Sequence, residues 1–301
     1  MAQVVPCYKP LRGYRVGDGP VVFSFVRNAQ ILDLPCGRCR GCRLEKSRQW
    51  GVRIMHEAKL HDRNCFVTLT YDEKNLPSDL SVSREEFQKF MKRLRKRFEP
   101  ERIRYYACGE YGEKLDRPHY HACLFNVDFE DKVVLESQQR DDLFVSDVLA
   151  SAWPLGFHSI GELTFESACY VARYCVKKVT GPKAKEHYMK VDTTTGEVFE
   201  LEPEFALMSR RPGIGQGHIE KYLDDVFPSD ECVVNGHPTK PPRYYDKFFE
   251  SVDPEGFAEV KERRLKAGEK NLIESWQVGR LRQKERVKER QLGMLRRRIE
   301  E

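Results

Sequence analysis

Two strand-like segments with little chain between them do most to constrain the fold. Residues 103–108 and 119–125 are both rich in β-formers, and the stretch between them, Tyr111 to Pro118, is turn-like. Parallel neighbours need a crossover of roughly a dozen residues or more, so these two segments are expected to run antiparallel. A third strand is predicted over 64–71, where Cys65-Phe66-Val67-Thr68-Leu69-Thr70 ends at Asp72, and a fourth over 157–163. Helical spacing alternates with these strands. Trp50, Ile54 and Ala58 recur every four residues within 44–60. Ser83 and Glu86 have capping-box spacing ahead of the stripe Phe87, Phe90, Met91, Leu94 and Phe98. Residues 167–179 read as a third helix, stopped by Gly181-Pro182.

The remaining segments are less regular. The acidic stretch 128–147 reads as a loop leading to a helix that ends near Trp153. Residues 188–191 and 197–201 form a hairpin through Thr195-Gly196, Pro241-Pro242 marks a linker, and the chain is polar helix from Phe257 onward. The predicted class is α+β: an antiparallel sheet with helices on one face, followed by a basic helical tail. Three parts are expected: a cysteine-containing segment over 1–60, a main domain over 61–250 and the tail over 251–301.

Charge is distributed unevenly. The chain carries 52 Lys and Arg against 47 Asp and Glu, and residues 257–301 hold fourteen of the cations and eight of the anions. The tail is therefore +6 and the rest of the chain −1, a pattern that suits an acidic polymer such as nucleic acid or, alternatively, a solvated helical face. The first twenty residues lack an apolar signal-like run, and no window reaches the roughly 18 apolar residues of a membrane span. A cytoplasmic protein without a membrane partner is expected, with its ten cysteines reduced. Cys36-x₂-Cys39-x₂-Cys42, with Cys7 as a fourth thiolate, can hold a structural Zn²⁺; reduced structural thiols are the alternative. Cys65, Cys108, Cys123, Cys169 and Cys175 lie in apolar surroundings and read as core.

Two segments carry candidate chemistry. In Arg117-Pro118-His119-Tyr120-His121, the two histidines are two apart on a strand and share a face, which makes them a candidate pair of metal ligands. In Tyr170-Val171-Ala172-Arg173-Tyr174, the tyrosines are four apart on a helix, within reach of one centre, and Lys177 follows on the same face. Solvated or core histidines and a packing pair of aromatic rings are the competing structural readings. Arg210 and Arg211, ahead of a glycine-rich turn, are candidates for contacts to DNA phosphates.

Together with Phe66-Val67-Thr68-Leu69-Thr70-Tyr71, these segments resemble the endonuclease superfamily that has a His-hydrophobic-His motif, in the family's order. More closely, the chain resembles the replication initiators of small single-stranded DNA phages of the microvirus group, particularly the gokushovirus branch. The matching stretches are residues 34–43, Cys108-Gly109-Glu110-Tyr111-Gly112, Arg117 to His121, Tyr170 to Tyr174, and Ser209-Arg210-Arg211-Pro212-Gly213-Ile214-Gly215. The resemblance implies a site-specific single-stranded DNA endonuclease and strand-transferase for rolling-circle replication. Glu110 would complete a Mg²⁺ or Mn²⁺ site with His119 and His121, with Glu113 a weaker alternative. Tyr170 and Tyr174 would be nucleophiles that form a 5′-phosphotyrosine, assisted by Lys177. Origin DNA is the implied substrate, the bacterial host cytoplasm the compartment, and a host helicase and polymerase the candidate partners. A transposase or plasmid nickase of the same chemistry, or a non-catalytic zinc-stabilised DNA-binding protein, are the alternatives.

Overall fold

The computed structural model describes residues 7–17, 19–112, 116–135, 143–174, 179, 184–191, 196–275 and 278–294. In chain order it comprises β1 (Leu11–Arg15), β2 (Gln30–Leu34), α1 (Arg40–Ala58), β3 (Asn64–Tyr71), α2 (Arg84–Arg97), β4 (Arg104–Tyr111) and β5 (Pro118–Phe125). Next come β6 (Val133–Val134), β7 (Phe144–Val145), α3 (Asp147–Ala152), β8 (Gly156–Gly161), α4 (Phe165–Tyr174), α5 (Ala184–Tyr188), β9 (Met189–Val191), β10 (Val198–Glu200) and β11 (Phe205–Met208). The chain continues with α6 (Gln216–Lys221), α7 (Leu223–Val226), β12 (Cys232–Val234), β13 (His237–Thr239), α8 (Arg243–Val252), α9 (Pro254–Ser275) and α10 (Val278–Met294). Two compact units emerge, one of Met1–Lys46 with Asp246–Glu301 and one of Ser47–Tyr245.

The Ser47–Tyr245 unit is α+β, built on a seven-stranded sheet in the order β11-β4-β5-β3-β8-β7-β6. Every pairing in that sheet is antiparallel, including the β4–β5 hairpin. Alternation on β3 and β5 sorts side chains to two faces. Val67, Leu69, Tyr71, Tyr120, Ala122 and Leu124 join Phe87, Phe90, Met91 and Leu94 of α2, and Leu149, Ala152 and Trp153 at α3, in one buried core. Burying a side chain of this size contributes about 1.5–3 kcal/mol relative to leaving it exposed, so this core is the main stabilising feature of the unit. The opposite face is covered as well. The Trp50 ring of α1 packs at 4.7 Å on Tyr106 of β4, and α4 packs on β4 and β5. Helices therefore occupy both faces of the sheet, not one. The periodicity of a helix fixes which of its own faces is apolar, but not which side of a sheet receives it.

Several local readings change in detail. Ser83 caps α2 by accepting from Glu86 N at 3.2 Å, but the returning half of a capping box is absent. The Ser83 N–H is taken at 2.9 Å by the Tyr120 hydroxyl, which itself donates to Ser83 O at 3.0 Å, while the Glu86 carboxylate holds Lys89 at 3.0 Å. A tertiary partner has displaced a local one. Residue 179 is not helical, so α4 is shorter than the predicted 167–179, although 175–178, with Lys177 and Cys175, lie outside the described residues. Pro241 and Pro242 are buried at the start of α8 rather than forming an open linker. Cys65, Cys108 and Cys123 are buried, whereas Cys169 is half-buried. Among the described residues, no helix is long and apolar enough to cross a membrane.

The other unit contains the β1–β2 hairpin and the tail helices α9 and α10. Some tail cations are neutralised within the unit: Arg264 pairs with Asp246 at 2.8 Å and Lys261 with Glu250 at 2.6 Å.

Candidate active site and metal centres

The β-ladder assembles one cluster by register alone. Glu110 of β4 lies directly opposite His119 of β5, which lies opposite Thr70 of β3, which lies opposite Phe157 of β8. One step down, Cys108, His121, Thr68 and Ser159 form the next row on the same face. Directly opposite residues have Cβ atoms roughly 4.5–5.5 Å apart, so the two histidines and the carboxylate converge. Their ligand atoms lie within 4.8 Å of one another. Glu110 Oε1 stands 3.0 Å from His119 Nε2 and 3.1 Å from His121 Nε2.

The hydrogen bonds around this cluster test whether a cation suits it. His119 Nδ1 lies 3.0 Å from the Arg117 carbonyl, which can only accept, so Nδ1 carries a proton. In the neutral ring, Nε2 then directs a lone pair at a carboxylate oxygen, an arrangement that is repulsive unless a cation or proton lies between them. Glu110 is 1% exposed, and its Oε2 has no hydrogen-bond partner among the described residues. Buried carboxylate oxygens are costly in that condition, and a divalent ion would satisfy this one. His121 Nδ1 is held at 2.9 Å by the Thr68 hydroxyl, the kind of outer support that orients a metal-binding imidazole. The Thr-Leu-Thr segment thus acts through Thr68, a role that its sequence did not specify.

The tyrosine helix reaches the same cluster. α4 packs on β4 and β5, and the Tyr170 ring meets the His121 ring edge-on at 5.3 Å. Tyr170 is buried at 9% exposure. Close helix crossing is allowed by Gly51 of α1, where an added Cβ would come within 2.5 Å of Cys169 Sγ. Ser47 Oγ then donates to Cys169 O at 2.7 Å and ties α1 to α4. Tyr174 lies in the last turn of α4, one turn beyond Tyr170, with its side chain outside the described set. Lys177 and Glu113 also fall outside it.

Arg210 and Arg211 are exposed and lie away from this cluster. The preceding Ser209 bonds its N–H to Tyr105 O at 3.0 Å, five residues along β4 from Glu110, or roughly 17 Å. They line a cleft of 470 Å³ together with Arg95 and Arg102. Sequence reasoning missed what anchors their loop. Glu57 and Arg104, both buried, form an ion pair; the remaining Glu57 oxygen accepts from Gly215 N at 2.7 Å, and Arg104 donates to Pro212 O at 2.9 Å. Neither residue belongs to a recognisable motif, so no local signal identified the pair.

A second cluster forms in the other unit. The sulfurs of Cys7, Cys36, Cys39 and Cys42 lie within 4.8 Å of one another, with Cys39–Cys7 at 3.8 Å and Cys36–Cys42 at 4.0 Å. Four sulfurs about 2.3 Å from one tetrahedral ion would stand about 3.8 Å apart, and a disulfide would need about 2.05 Å. Backbone N–H groups of Tyr8, Cys36 and Cys39 each donate to a cysteine sulfur at 3.3 Å, which suits thiolates. Burial acts to raise the Cys39 thiol, but hydrogen bonds, led by those from the Cys42 and Tyr8 backbone, bring it down to about 7.

Residues 64–179, which span β3 to the tyrosine helix, match the family of ORF2-type replication-associated proteins. The chain is similar to "Replication-associated protein ORF2" of Spiroplasma virus 4, with 32% identity over 89% of this chain and 88% of that protein. It is also similar to "Replication-associated protein VP4" of Bdellovibrio phage phiMH2K, with 31% identity over 89% of this chain and 84% of the relative. For "Replication-associated protein ORF4" of Chlamydia phage 1, the identity is 28% over 70% of this chain and 52% of the relative. No solved structure matches. With the likeness running through both units, the chain belongs to the replication-associated proteins of gokushovirus-type single-stranded DNA phages.

Proposed function

We propose that this replication protein initiates rolling-circle synthesis by nicking a single DNA strand with a tyrosine and later rejoining it. The observation that carries this reading is the Tyr170 ring standing edge-on to His121, inside a cluster with His119 and the buried Glu110. Glu110, His119 and His121 would hold a divalent cation, Mg²⁺ or Mn²⁺, which polarises a non-bridging phosphate oxygen and offsets the charge that builds there. Thr68 and the Arg117 carbonyl keep the two imidazoles aimed inward. The phenol oxygen of Tyr170 or Tyr174 attacks phosphorus, the bond to the 3′ oxygen breaks, and a 5′-phosphotyrosine and a free 3′-hydroxyl result. Lys177 assists by stabilising the phenolate. The hydroxyl primes the host polymerase, and the ester conserves the bond for religation. With two tyrosines, one can hold the parental 5′ end while the other cuts the new junction.

This activity is assigned to residues 61–250. The cysteine cluster is assigned a structural Zn²⁺, because four thiolates leave no open position for chemistry. Arg210 and Arg211 are assigned to the phosphate backbone, and the basic tail to non-specific DNA affinity. A host helicase is the expected partner for strand separation in the bacterial cytoplasm.

The test incubates purified protein with end-labelled single-stranded origin DNA and Mn²⁺ and resolves the products on a denaturing gel. A covalent protein–DNA band is expected from wild type. Tyr170→Phe and Tyr174→Phe should each retain some first cleavage but fail to complete cut-and-transfer cycles, and the double variant should form no adduct. An adduct that persists in the double variant refutes the assignment.

A further inference from the structure

We propose that Phe157 is a base-stacking platform for the DNA strand beside the Glu110–His119–His121 cluster. The proposal rests on the single-stranded DNA reading above and adds a binding subsite to it. Register places Phe157 in the same cross-strand row as Glu110 and His119, with Thr70 between His119 and Phe157. Two strand spacings separate β5 from β8, so the ring stands roughly 10 Å from His119 on the face that also receives α4.

A lone exposed apolar side chain is ordinary and would carry no argument. This one is 68% exposed on an interior strand of the sheet, although α1 and α4 cover other parts of that face. Its neighbours in the two rows are small and polar: Thr70 and Ser159 are half-buried, which leaves a shallow floor beside the ring. The outer edge of β8 is open at this level, because β7 pairs with β8 only through Phe144 and Ile160. A flexible strand that runs from the histidines toward that edge therefore crosses the ring.

The backbone also fixes the ring's position. At the preceding residue, Gly156, φ is +154° and an added Cβ would lie 2.4 Å from Thr70 O and 2.3 Å from Asp72 N. Only glycine permits that approach of β8 to β3, and Asp72 N donates to Leu155 O at 3.0 Å just before it. Phe157 is thus set on a rigid strand, with little ordering cost when a base stacks on it. Every nucleobase presents a π-face, so the subsite would accept single-stranded DNA with little sequence preference.

Fluorescence anisotropy of the full-length protein with a labelled short oligothymidine strand, in EDTA so that cleavage plays no part, tests this subsite. Phe157→Ala should weaken binding roughly five- to 150-fold, the range for losing one base–aromatic stack. Phe157→Trp should keep the affinity, and its emission should be quenched by the strand. Phe157→Leu, which preserves apolar area but not the ring, should fall with alanine. The side chain is exposed, so none of these changes opens a core cavity, and matching far-ultraviolet circular dichroism should confirm the fold. Wild-type affinity in Phe157→Ala, or in Phe157→Leu, overturns the inference even if the protein nicks DNA. A protein that binds through Phe157 yet forms no covalent adduct overturns the nicking reading alone.

Discussion

Replacing Glu57 by Gln tests the buried ion pair that anchors the loop of Arg210 and Arg211. Gln keeps the shape and an acceptor for Gly215 N, so the change isolates the lost charge. Arg104 has a side chain only 8% exposed and would be left as an uncompensated buried cation. Breaking such a pair from one side costs about 3–5 kcal/mol, a large fraction of the roughly 5–15 kcal/mol that stabilises a typical domain. At about 2–4 °C per kcal/mol for a unit of this size, the melting temperature should fall by roughly 6–20 °C. The double variant Glu57→Leu/Arg104→Met removes both charges and should be milder, because it leaves only the orphaned loop groups, such as the Gly215 N–H. Urea unfolding of the four species closes the cycle. The dependence on pH has a defined sign. Burial acts to raise the Glu57 carboxyl, but the His61 ring, the Gly215 N–H and Arg104 together hold it below the ordinary carboxylate range. A depressed folded-state value means that this stabilisation is complete above the ordinary range and is lost as pH falls through the folded value. That component should be missing in Glu57→Gln. A single variant within about 1 kcal/mol of wild type, or a double variant no milder than the single, would refute the reasoning.

Three further outcomes are expected. Thr68→Val removes the hydroxyl that holds His121 Nδ1 and should weaken Mn²⁺ binding by roughly 10- to 100-fold in a metal titration, while Thr70→Val, whose hydroxyl bonds only a backbone carbonyl at 3.4 Å, should change it little. Elemental analysis should find about one zinc per chain in wild type and little in Cys39→Ser; equal zinc in both would exclude the thiolate site. Truncation after Gly256 should flatten the dependence of log affinity on log salt for single-stranded DNA by at most about 4, as the tail's net +6 allows, and an unchanged slope would assign the tail to another role.

What the sequence settled by itself was local. The span of β3, the Ser83 cap of α2 and the common face of His119 and His121 follow from two-residue and four-residue periods and from the side chain at a helix start, which need no knowledge of distant chain. Residue types also made His119, His121, Glu110 and the four cysteines candidates for metal ligands. Tertiary structure decided which of these groups meet. Pairing of β3 between β5 and β8 put Thr68 on His121 and Phe157 in the row of His119; β11 joined β4 from about a hundred residues away; and Arg104 reached Glu57 across the opposite face. The reason is physical. Alternation along a strand specifies which face each side chain takes, but the neighbour across the ladder is chosen by long-range register and packing, which leave no periodic trace in the chain.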